Sequence, residues 1–119
     1  MASVLVNAGR AIITSELTGS NAKFVAYGTG AGTAAAADTT LFTEVQTRVT
    51  GTQTQQTTSV TNDTYRVTGT VTADATRAIT NGGVFDASTS GNLFVKGDFS
   101  TINLASGDSI AFTFNLQFT

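Results

Sequence analysis

Histidine, cysteine and proline are all absent from the 119 residues. Without histidine the chain lacks the side chain that most often acts as base, proton shuttle or metal ligand near neutral pH. Serine and threonine are plentiful, but a hydroxyl nucleophile needs an adjacent base, and the usual one is missing. Without cysteine there is no disulfide framework and no pointer to a redox compartment. Charge is scarce as well: six Lys/Arg and eight Asp/Glu make up 12% of the chain, against about 25% in ordinary soluble proteins. The basic residues are scattered from Arg10 to Lys96 and the isoelectric point is about 4.7, which argues against a nucleic-acid partner. No apolar run approaches the length of a bilayer span, so no membrane partner is expected. Val4-Leu5-Val6 is cut short by Asn7 and Arg10, too brief for the apolar stretch of a signal peptide. The expectation is a soluble product without a secretory address.

In place of charge the chain has 24 threonines. Threonine is branched at Cβ and fits a pleated surface, so a threonine-rich, charge-poor exterior predicts a β protein. Disorder is excluded, because hydrophobic residues reach 40% and the net charge is only -2. The strongest local signal lies at the end. From Asp108 to Thr119, Ile110, Phe112, Phe114, Leu116 and Phe118 fall on one face of an extended strand, and Ser109, Ala111, Thr113, Asn115 and Gln117 on the other. Natural sheets use charge to keep their edges from pairing with neighbours, and little is present here, so self-association is expected. A monomer whose loops cover its edges is the plainer alternative.

Along the chain, Asn7 is a candidate cap for a helix over Ala8 to Leu17 that stops at Thr18-Gly19. Lys23 to Tyr27 reads as a strand running into Gly28-Thr29-Gly30-Ala31-Gly32, whose alternate glycines permit an unusual path or close approach by another chain. Residues 28–41 read as a Gly/Ala-rich surface loop in which Asp38 caps one helical turn. Val45 to Val60 suggests a strand pair wetted on both faces, Thr61-Asn62-Asp63 a turn, and Tyr65, Val67 and Val71 the inner row of a long hairpin. Asn81-Gly82-Gly83 reads as a bend or bulge. Asp86 to Asn92 is a turn, Leu93 to Phe99 a strand, and Ser106-Gly107-Asp108 the last turn. The expected fold is all-β: a single antiparallel β-sandwich or small barrel over residues 1–119, with one short N-terminal helix and a possible arm at residues 1–6.

Sites of chemistry fail one by one. Gly28 to Gly32 lacks the Gly-Lys-Ser/Thr of a phosphate loop and the glycine spacing of a dinucleotide fingerprint. Asp86 to Asn92 imitates the start of a calcium loop, but its twelfth position is Gly97, where the closing glutamate should stand. Glu16, Glu44, Asp86, Asp98 and Asp108 are the pool for a paired-carboxylate mechanism, and no spacing pairs any two. Asn62-Asp63-Thr64 satisfies a glycosylation sequon but reads better as a turn. The chain is not expected to be an enzyme or to hold a metal or cofactor.

Several stretches taken in order carry a resemblance: Val6-Asn7-Ala8-Gly9-Arg10; Ala26-Tyr27-Gly28-Thr29-Gly30 leading to Thr33 through Leu41; Thr43-Glu44-Val45; Thr61 to Tyr65; Ala78-Ile79-Thr80; Gly83 to Ala87; and Phe99-Ser100 to Ser106-Gly107-Asp108-Ser109. Together they cover nearly the whole chain, which resembles small virion structural proteins of tailed bacteriophages, a group labelled variously as tail, tail-fibre or head-decoration proteins. Asn81 departs from that group, which tends to carry an acidic residue there, so no local contact is transferred at this position. The resemblance implies a virion component made in the host cytoplasm that works by surface contact. Its expected partners are the major capsid protein or tail proteins, and further copies of itself, with a trimer favoured. Candidate contact residues are Ala2, Val4, Leu5 and Val6 in the arm, and Gly28, Gly30, Gly32, Ala34 and Ala36 in the loop. The leading expectation is a capsid decoration or cement protein. The alternative is a tail fibre, tip or tube-associated subunit, with the Thr/Gln hairpin from Thr50 to Thr72 exposed and Tyr65 meeting a receptor glycan.

Overall fold

The apolar alternation resolves into seven strands and one helix in the computed structural model, which describes residues 1–119. In chain order these are α1 (Asn7–Thr18), β1 (Phe24–Gly28), β2 (Glu44–Thr50), β3 (Thr52–Gln56), β4 (Thr64–Thr72), β5 (Arg77–Phe85), β6 (Leu93–Leu104) and β7 (Ser109–Gln117). They form a four-stranded sheet in the order β2-β1-β5-β6 and a three-stranded sheet in the order β3-β4-β7. Every pairing is antiparallel. The two sheets pack face to face as an open sandwich, not a closed barrel, with Val25, Tyr27, Tyr65, Val67, Val71, Ile79, Val84 and Phe112 as the core between them.

The terminal stripe faces that core. β7 pairs with β4 so that Leu116, Phe114, Phe112 and Ile110 stand opposite Tyr65, Val67, Gly69 and Val71. Gly69 interrupts the apolar row for a steric reason: a Cβ there would lie 2.8 Å from Val25 Cγ2. The smooth side chain of Val25 fills the gap from the other sheet.

Three expectations are corrected by the structure. β2 and β3 do not pair with each other, because the chain changes sheets between them at Gly51. There Gly51 N donates to Lys23 O at 2.7 Å, and a Cβ would meet Val67 Cγ1 at 2.6 Å. Of the bend or bulge expected at Asn81-Gly82-Gly83 the bulge is found: the three residues lie within β5, and its pairing with β6 is irregular between Ile79 and Asn81. Asn7 is the first helical residue and not the cap; Val6 precedes the helix without a side-chain cap, its carbonyl accepting Arg10 N at 3.1 Å. Asp38 caps no helical turn but accepts Ala35 N at 2.9 Å. In addition, β6 continues five residues beyond the expected end, to Leu104.

α1 packs on β3 and β4. Its weak amphipathicity is supplemented by a polar clasp: buried Thr14 donates from Oγ1 to Asn62 O at 2.7 Å and accepts Gln55 Nε2 at 2.9 Å. The molecule measures 52 × 26 × 25 Å with a radius of gyration of 15.4 Å, above the roughly 13.5 Å of a compact chain this long. No helix is long and apolar enough to cross a membrane.

Candidate interaction surfaces

Residues 1–6 have no regular structure and are all exposed; Val4 is 81% and Val6 60% exposed to solvent. Leu5 turns back over Gly9 at the start of α1, with Val6 Cγ2 beside it. Ala2, Val4, Leu5 and Val6 are therefore all presented to water, although three of the four are β-branched or larger aliphatics that normally seek cover.

The Gly/Ala loop lies on the outer face of the larger sheet, and its glycines approach the chain's own Phe42. Thr29 N and Gly30 N donate to Thr43 O and Phe42 O at 3.0 and 2.9 Å. A Cβ on Gly28 would meet Phe42 O at 2.3 Å, and one on Gly32 would touch the Phe42 ring at 2.6 Å. Asn81 holds the return leg with both ends of its amide: Oδ1 accepts Phe42 N and Nδ2 donates to Phe42 O, each at 3.0 Å. A carboxylate at this position would offer no such donor. Further out, Asp98 Oδ1 accepts Ala34 N at 2.8 Å, and Lys96 Nζ reaches Asp38 Oδ2 at 2.8 Å and Thr40 O at 2.9 Å while lying over the Phe42 ring. The Lys96 hydrogen bond, with that from Ala35 N, lowers the Asp38 pKa. Of the candidate loop residues, Gly28 is buried at the end of β1 under Phe42 and is not available to a partner, Gly30 and Ala34 are half-buried, and Gly32 and Ala36 remain exposed.

A third surface was not foreseen from the sequence. β4 lies over β1 and β2, and β7 lies over β5, so the larger sheet's outermost strand, β6, sits at the margin of the sandwich, reaching the smaller sheet through Phe94 on Tyr65 and Phe99 on Phe112 and leaving open space between them at Gly97. A Cβ placed on Gly97 of β6 meets nothing within 4 Å, whereas one on its partner Gly82 in β5 would lie 2.8 Å from the Phe112 ring. Along this open side Phe99 and Phe114 flank Phe112, with ring centroids 6.2 and 5.8 Å away, and Ile102 is exposed. β7 is the free edge of the smaller sheet. Of its apolar row only Phe112 is buried; Ile110, Phe114 and Leu116, with Phe118 just beyond, are half-covered. No charged residue occurs from Ser109 to Thr119.

Two clefts meet at Phe94 and Leu93. One, of about 320 Å³, is lined by Ala34, Ala35, Ala36, Asp38 and Lys96; the other, of about 360 Å³, by Leu17, Ser20, Asn21, Lys23, Asp86 and Asn92. Their charges are spent internally. Lys23 Nζ donates to Ser20 Oγ at 2.9 Å and Asn21 O at 2.8 Å, and Asp86 accepts Asn92 N and Nδ2 at 2.7 and 2.9 Å, which lowers its pKa. The exposed Phe94 ring rests on Tyr65, 5.9 Å between centroids. Tyr65 itself is buried, donates its hydroxyl to Gln53 Oε1 at 2.5 Å, and has its phenol pushed up to about 12 by burial. It is shielded from any ligand, and the ring that faces outward is Phe94.

Two further carboxylates are tied into the fold, while Glu16 stands exposed on α1. Asp63 is fully buried and accepts Thr58 N, Ser59 N, Val60 N, the Thr64 hydroxyl and Gln117 Nε2 at 2.8 to 3.2 Å. Burial pushes its pKa up, but the three amides and the hydroxyl outweigh that and hold it far below the usual range. Glu44 pairs with Arg48, whose guanidinium covers the Phe85 ring and ties down Ala87 O and Ser90 O. No three metal-ligating carboxylates, thiols or imidazoles come together.

Neither protein-family models nor curated proteins provide a match to this chain.

Proposed function

We propose that this protein is a structural component of a tailed-bacteriophage particle, a capsid decoration or cement protein that acts by binding neighbouring subunits. The observation that carries this reading is the segment Met1 to Val6, which has no charged side chain and presents Val4 and Val6 to solvent. Such a segment gains free energy only against another protein surface, at about 25 cal/mol per Å² of apolar area covered, less the cost of ordering it. The resemblance in the order of its turns supports the same reading. Contact with the major capsid protein and with copies of itself would run through this arm and the face bearing Gly32 and Ala36. Stabilisation of the shell is then mechanical: each added contact raises the work needed to part the joints it spans.

A second reading, a tail subunit that recognises a receptor glycan, is favoured by the clefts astride Phe94. An exposed ring flanked by self-compensated Asp/Lys and Asp/Asn groups suits an uncharged ligand with one apolar face, such as a pyranose. Copy number separates the two. Quantitative mass spectrometry of purified particles is expected to find hundreds of copies per particle for a head protein and from six to a few dozen for a tail subunit. Absence from mature particles overturns both.

A further inference from the structure

The open space at Gly97 of β6 and the free edge of β7 together define a slot of one strand's width. The smaller sheet has three strands against four, and the vacant fourth position lies beside β7 and beneath Gly97, where no atom stands within 4 Å of the Cβ site. We propose that this slot is filled by residues 1–6 of a second copy, which add to β7 as a fourth strand and complete the sandwich. The proposal rests on the reading of the chain as a self-associating structural protein and names the partner of its arm.

Three features fit strand to slot. In an extended conformation Ala2, Val4 and Val6 share one face, the face that would turn inward to meet Phe99 and the half-covered part of the β7 row. Neither side carries a charged side chain: there is none from Met1 to Val6 or from Ser109 to Thr119. With the terminal ammonium left at the solvent end of the slot, entry buries no charged side chain, and the backbone groups on the open edge of β7 gain partners of the kind that strand addition supplies. The β6 side chains that do carry charge, Lys96 and Asp98, are engaged on the opposite face by Asp38 and the Ala34 amide. Length also matches, since six residues at about 3.3 Å each span roughly 20 Å of the nine-residue edge.

The donor is another molecule and not the chain's own arm, because all six residues stand exposed and clear of their own β7. Exchange in one direction around a ring gives a closed cyclic oligomer, each copy both giving and receiving a strand.

The absence of cysteine makes the test direct. Val4→Cys and Gly97→Cys are prepared as separate proteins, mixed and oxidised, with Val4→Cys plus Ser88→Cys as the control pair. The expected result is a covalent heterodimer in the first mixture at least tenfold above the control. Equal yields overturn the proposal, as does a Val4→Cys/Gly97→Cys double variant that closes only within one chain at every concentration. In parallel, mass photometry and sedimentation are expected to show the intact protein as an oligomer, and either Val4→Asp or removal of residues 1–5 as a folded monomer with an unchanged circular dichroism spectrum. Removal to residue 5 keeps the Val6 carbonyl that Arg10 N requires. An intact protein that stays monomeric at tens of micromolar, or variants that keep their oligomeric size, overturn the proposal. Neither result touches the copy number in purified particles, so the reading as a virion protein is tested separately.

Discussion

Gly82 and Gly97 face each other across β5 and β6, yet one backs onto the Phe112 ring and the other onto open space. Gly82→Ala is expected to cost about 1–3 kcal/mol through overpacking, and Gly97→Ala to be neutral or to stabilise by up to about 1 kcal/mol by removing a glycine from a strand. Urea midpoints at constant m-value distinguish the two. Gly28 is stricter, since its Cβ would meet backbone oxygens of Phe42 and Thr43, which no rotamer change relieves. Asn81→Ala leaves the amide of Phe42 without a partner, while its carbonyl keeps the bond from Gly30 N, at an expected loss of about 1–3 kcal/mol for the one group left dry. None of this was legible in the sequence. A glycine announces that something comes close but not what, and Asn81 is distinguished by a partner 39 residues away in the chain.

Alternation made some elements plain and left others hidden. β7 and β4 were readable because each has one dry face, and a period of two then fixes which side chains point inward. β2 and β3 carry the same kinds of residue but serve different sheets, and nothing in a Thr/Gln pattern records the change at Gly51. The α1 start was misplaced by one residue because the capping side chain expected at Asn7 is replaced by a bare backbone entry at Val6. Burial along β7 is graded, so Phe112→Ala is expected to cost about 3–5 kcal/mol and Phe118→Ala clearly less, in the same denaturation assay. The turn from Thr57 to Asp63 depends on an ionised carboxylate. Because the folded pKa of Asp63 lies below its unfolded value, its stabilisation is complete above about pH 4 and is lost as the pH falls toward the folded value. Asp63→Asn is expected to be less stable at pH 7 and to show a shallower loss of thermal midpoint between pH 5 and pH 2, leaving the contributions of Asp38 and Asp86, which have the same sign.

At the scale of the molecule the four-on-three arrangement makes protection uneven. Amides of β1, β5 and β4, each with a neighbour on both sides, are expected to exchange slowest with deuterium, and those of the far half of β6 and the outward side of β7 fastest. Association through the open side would reverse that order for β7, and mass-resolved exchange at two protein concentrations reads the change. The sequence supplied the sandwich but not its incompleteness, because a strand's missing neighbour leaves no mark on the strand itself.

The crossing at Gly51 gives the two sheets a spine. At that margin β2 and β3 are joined by one residue whose amide is tied to Lys23; at the opposite margin β6 and β7 are joined by a four-residue turn in which Ala73 N donates to Asp108 O at 2.7 Å and Gly107 N to Ala73 O at 2.8 Å. The sheets are thus stitched at both margins, and the loose part of the second seam is the stretch beside Gly97, away from the turn, where an inserted strand would hold it shut.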